Sequence, residues 1–169
     1  NVNIIGEIPG NDAQLKSESI LIGAHFDSWH SGTGATDNGV NCTVLVEALR
    51  ILKTIGYSPK RTIKIGLWGG EEQAFLGSAA YASQHFGQLD EKPNAESTKV
   101  SAYLNLDNGA GAIRGVYLQN NEFARPVFDN ILELIVLTVF PLRIKIYGFL
   151  LCNLLFFRTA QYLHHLQME

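Results

Sequence analysis

The feature that most constrains this chain is an alternation of short, nearly continuous apolar runs with stretches of helical period. Val2–Ile8 alternates like a strand, and Ser19–Ala24 is a second run that leads directly into His25. Pro9-Gly10-Asn11-Asp12 supplies turn chemistry between them. From Val40 to Ile55, residues Val44, Leu45, Ala48, Leu49, Ile51 and Leu52 recur at helical spacing, and Gly56 supplies the stop. Arg61–Trp68 reads as a strand, Glu71–His85 as a helix and Val100–Leu106 as a strand. Apolar strands separated by helices predict an α/β domain in three layers, with a mixed, largely parallel central sheet covered on both faces.

That architecture gives the charged residues a location, because ligands of such sheets gather at the carboxyl ends of the strands. His25 and Asp27 follow one strand, Asp37 lies in the next Gly-rich loop, Glu71 and Glu72 follow another strand, and Asp107 follows a third. Imidazole and carboxylate together are a zinc-binding set, and one carboxylate bridges two ions about 3.5–4 Å apart. Taken singly each has a plainer reading: His25 as a satisfied core histidine, Asp37-Asn38-Gly39 as a helix cap, and each carboxylate as a solvated charge. Asp27, two residues beyond His25 on an extended segment, is placed to accept the other imidazole N–H and fix the tautomer.

The carrying stretches are Ile22–Trp29, Gly32–Gly39, Trp68–Ser78 and Asn105-Leu106-Asp107. In that order they resemble the di-zinc aminopeptidase family of co-catalytic zinc exopeptidases, which includes carboxypeptidase Q and the glutamate carboxypeptidases. The resemblance covers about residues 1–130. It implies two zinc ions, with His25 and Asp107 on the first, Asp37 bridging, Glu72 on the second, Glu71 as catalytic base and Asp27 beside His25. It implies a peptide or dipeptide substrate, an aminopeptidase or dipeptidase reaction, and a secreted or lysosomal setting.

The family's fifth ligand, a histidine in a later Gly-rich loop, has no recognisable counterpart. His164 and His165 stand in Tyr162-Leu163-His164-His165-Leu166, a solvated-tail context. From Ile131 the chain changes character, and residues 131–169 read as a divergent apolar tail after a partial catalytic domain over 1–130. With Asn1 opening a strand pattern, the sequence reads as an internal piece or processed product, truncated or alternatively terminated relative to the family. A catalytically impaired fragment, acting in binding or regulation, is the alternative function.

Composition excludes other classes. The chain has 169 residues, 46% hydrophobic, which suits one globular domain rather than disorder. Thirteen basic and 16 acidic residues without a long block of either sign argue against nucleic-acid binding. Neither Ile131–Leu142 nor Ile146–Phe157 reaches the roughly 20 uninterrupted apolar residues of a membrane span. Cys42 and Cys152 are too few for a metal knuckle or a disulfide framework, and oligomeric state leaves no mark.

Overall fold

The computed structural model describes residues 2–88, 92, 94–111 and 115–131, with the backbone of 152–155. The expectations placed on the remainder of 131–169, including His164 and His165, lie outside these residues.

Five strands form one sheet in the order β1-β3-β2-β4-β5. They are β1 (Ile4–Ile8), β2 (Ser19–His25), β3 (Thr62–Trp68), β4 (Val100–Leu106) and β5 (Cys152–Leu155), with helices α1 (Val40–Thr54) and α2 (Leu76–Phe86) between them. The three central strands are parallel, while β1 runs antiparallel to β3 and β5 antiparallel to β4. The sheet is therefore mixed with a parallel centre, as the apolar runs imply. Leu21, Ala24, Ile65, Trp68, Val100 and Ala102, all on these central strands, are buried. Strands covered on both faces need apolar side chains at nearly every position.

The β2–α1–β3 connection steps one way along the sheet, and β3–α2–β4 steps back across β2. Right-handed crossovers in opposite directions put their helices on opposite faces of the sheet. The two loops thus diverge between the ends of β2 and β3, and such a divergence leaves the crevice in which doubly wound sheets bind ligands. His25, the last residue of β2, pairs with Trp68, the last of β3.

Two expected elements differ in detail. The helix read over Glu71–His85 begins only at Leu76, because Ala74 (φ 70°) and Phe75 (φ 58°) adopt left-handed backbone. Residues 152–155, read within the apolar tail, extend the sheet as its edge strand on β4. Among the described residues no helix is long and apolar enough to cross a membrane.

Candidate active site

His25, Glu71, Glu72 and Asp107 stand where strands stop. His25 closes β2; Gly69 and Gly70 intervene between the end of β3 and Glu71-Glu72; Asp107 follows β4 directly. A Cβ on Gly69 would come within 2.4 Å of the Val2 carbonyl oxygen, so a side chain there would collide with the segment that leads into β1. Gly70 takes φ 72°, a conformation that side chains disfavour. Asp37 comes from the loop that enters α1; Gly39 is the N-cap residue of that helix, but no side chain caps it, so Asp37-Asn38-Gly39 is the helix entry without the Asp37 carboxylate being spent on a cap.

His25 is 2% exposed and lies at the centre. Its Nε2 is 3.0 Å from an Asp37 carboxylate oxygen, 3.0 Å from one of Asp107 and 3.9 Å from one of Glu71. Segments far apart in the sequence therefore meet on one imidazole nitrogen. Glu72 approaches from the same turn as Glu71, and its Oε1 is buried with no hydrogen-bond partner.

Asp27 adopts a position different in detail from the sequence expectation. The imidazole Nδ1 lies 3.1 Å from the backbone carbonyl of Asp27, and 3.5 Å from its carboxylate. That carboxylate instead accepts the backbone N–H groups of Glu71 (3.0 Å) and Glu72 (3.2 Å). The aspartate thus fixes the tautomer through its main chain and ties down the Glu-Glu turn through its side chain.

The sequence profile of peptidase family M28 matches residues 3–135. This chain belongs to that family. It is 31% identical over 133 residues to carboxypeptidase Q of Mus musculus, a match covering 79% of this chain and 26% of the relative. Leupeptin-inactivating enzyme 1 of Streptomyces exfoliatus is 33% identical over 62% of this chain and 22% of its own length. Among solved structures, an M28 peptidase precursor from Shewanella amazonensis SB2B superposes with a TM-score of 0.66 at 31% identity, covering 79% of this chain and 28% of that one. The chain spans about a quarter of the length of carboxypeptidase Q.

For an M28 chain the question is whether these residues suit the zinc that the resemblance implies. Two sets of donor atoms lie within 4.8 Å of one another: His25, Asp37 and Asp107, and His25, Glu71 and Glu72. The first is a mixed imidazole–carboxylate set of the kind zinc takes. In the second, the orphaned Glu72 oxygen is a buried acceptor in want of a cation or a proton. The donors fit. Glu72 falls in the set with Glu71, Asp37 is the carboxylate whose charge acts most on it, and His25 is the imidazole of both sets.

Without a cation the cluster holds protons instead. Burial works to lower the His25 pKa, but the hydrogen bond and charge of Asp107, with Glu71 and Asp27, raise it to about 9. Burial pushes Glu71 up to about 7, helped by Asp107, Glu72 and Asp27 and opposed by His25. Burial and the charge of Asp37 also raise Glu72. In the metal-free cluster Glu71 is thus a carboxyl that holds a proton close to neutrality.

Sequence reading passes over Asn41, which is 4% exposed in the first turn of α1. Its available signal is an amide in line with Leu45, Leu49 and Leu52, the less exposed apolar stripe of α1.

Proposed function

We propose that this chain carries the catalytic centre of a zinc-dependent exopeptidase, an aminopeptidase or dipeptidase acting on terminal peptide bonds. The observation that carries the reading is the meeting of Asp37, Asp107 and Glu71 around the buried His25 Nε2, in an M28 chain. His25, Asp37 and Asp107 would hold one zinc, and Glu72, with Asp37 as bridge, a second. Bound zinc supplies Lewis acidity that makes water a nucleophile near neutral pH and stabilises the oxyanion of the tetrahedral transition state.

Glu71 is the general base. Its carboxylate accepts a proton from the attacking water and delivers it to the departing amine nitrogen as the C–N bond breaks, so no acyl-enzyme forms. Asp27 holds the main chain of both glutamates and presents His25 in one orientation. The substrate is a peptide or dipeptide, and a secretory or lysosomal setting accompanies this reading.

A second reading, an impaired fragment that binds without turnover, is favoured by one observation. Among the described residues the Glu71–Glu72 set has no imidazole other than His25. Hydrolysis of aminoacyl amides and dipeptides by the purified chain, with and without chelator, tests both. The exopeptidase reading expects chelator-sensitive turnover that falls by about 10²–10⁴-fold in Glu71→Gln while metal is retained. Metal bound without turnover selects the impaired fragment, and turnover that survives complete demetallation sinks the zinc mechanism.

A further inference from the structure

Asp37 and Asp107 are separated by seventy positions and carry like charges, yet each lies 3.0 Å from the same imidazole nitrogen. The His25 imidazole between them offsets their repulsion, but it does not join their backbones. The groups that join their two loops are neutral amides.

Asn38, the neighbour of Asp37, is fully buried at 0% exposure, and its Nδ2 donates to the carbonyl of Leu106 at 3.0 Å. Leu106 immediately precedes Asp107. Asn41 Nδ2 donates both to Asn38 Oδ1 and, at 3.1 Å, to the carbonyl of Gly109, two residues beyond Asp107. The two amides therefore grip the 106–109 segment on either side of Asp107 while anchored beside Asp37. Asn41 is the member with a fixed base, because it lies in the first turn of α1.

The chemistry requires an amide there. Both partners of Asn41 are oxygens that only accept, so a carboxylate in its place would set three acceptors against one another. A smaller side chain would leave the buried Asn38 oxygen, and the Gly109 carbonyl, without this donor. A neutral donor also adds nothing to the negative charge of the site.

We infer that Asn41, acting through Asn38, is a positioning residue that sets the separation of Asp37 from Asp107 and thereby the affinity of the first metal position. The inference rests on the zinc reading above. It assigns to Asn41 no contact with substrate or metal. Groups that orient metal ligands from behind typically change affinity by about 10–100-fold when removed.

The test compares the full chain with Asn41→Asp and the gentler Asn41→Ser, each confirmed folded by circular dichroism. Zinc affinity is read by competition with a chromophoric chelator, and geometry by the visible spectrum of the cobalt(II)-loaded proteins. The expected result is a zinc dissociation constant raised about 10–100-fold in Asn41→Asp, less in Asn41→Ser, with altered cobalt bands in both. Zinc affinity within twofold of the parent and an unchanged cobalt spectrum, whatever the loss of stability, would make Asn41 a purely structural residue and overturn the inference. Should Asn41→Asp not fold, Asn41→Ser alone decides between these outcomes. A parent chain that binds no zinc overturns the function proposed above and this inference with it, whereas equal binding by parent and variants removes the positioning role alone.

Discussion

At the scale of single residues, the cluster stores protons that a cation would displace. His25 in the metal-free fold is raised from 6.5 to about 9; burial opposes this, and the Asp107 hydrogen bond and charge outweigh it. Its contribution to stability is fully present below about 6.5 and is lost as pH rises through about 9. Glu71, raised by burial to about 7, acts in the same direction over a lower range, since the fold keeps a proton that the unfolded chain releases near 4.5. The melting temperature of the chelated protein should therefore fall between about pH 5 and pH 9. Zinc binding releases those protons, so its affinity should rise over the same range. Thermal melts at several pH values, with chelator and with zinc, check both; a chelated protein whose melting point climbs towards pH 9 contradicts the proton-holding cluster.

At the scale of elements, a strap on one face of the sheet ties the strands that deliver these residues. Trp68 Nε1 donates to the Tyr103 hydroxyl at 2.8 Å, and that hydroxyl donates to Asn105 at 2.7 Å. The bond runs from β3 to β4 over β2, which lies between them. A Cβ on Gly23 would approach the Tyr103 hydroxyl to 2.4 Å and Trp68 Nε1 to 2.6 Å. Gly23→Ala should therefore lower the free energy of unfolding by about 1–3 kcal/mol through overpacking, read as a lower urea midpoint. An unchanged midpoint would show that the strap yields freely. The strands in this device were legible because each is an apolar run ending in a charged or glycine-rich segment. The start of α2 was not, since it is set by the left-handed backbone of Ala74 and Phe75, residue types that do not announce such a conformation. Nor was the antiparallel sense of β1, because strand direction follows from pairing with β3 and leaves no periodic trace.

At the scale of the whole molecule, one topological fact organises the site: the chain leaves β2 and β3 in opposite directions, and the candidate donors gather around that divergence. That His25, Glu71, Glu72 and Asp107 fall at strand ends was readable from sequence because strand ends are readable, and Asp37 was readable as a carboxylate in the Gly-rich loop after β2. The amide clamp of Asn38 and Asn41 was hidden, because hydrogen bonds to main-chain carbonyls of a distant loop impose no pattern on the sequence. A site assembled from β2, β3, β4 and the loop before α1 is absent from the unfolded chain, so zinc should bind almost entirely to the folded state and stabilise it by mass action. Free zinc at about 100 times its dissociation constant is worth about 2.7 kcal/mol. For a domain of this size each kcal/mol moves the midpoint by about 2–4 °C, so the melting temperature should rise by about 5–10 °C. A thermal melt series over zinc concentration measures the rise, excess chelator should reverse it, and Asp107→Asn should blunt it by removing a charged donor from the first set. A melting temperature indifferent to zinc at every concentration would mean that these residues, although gathered on one imidazole, do not form a metal site.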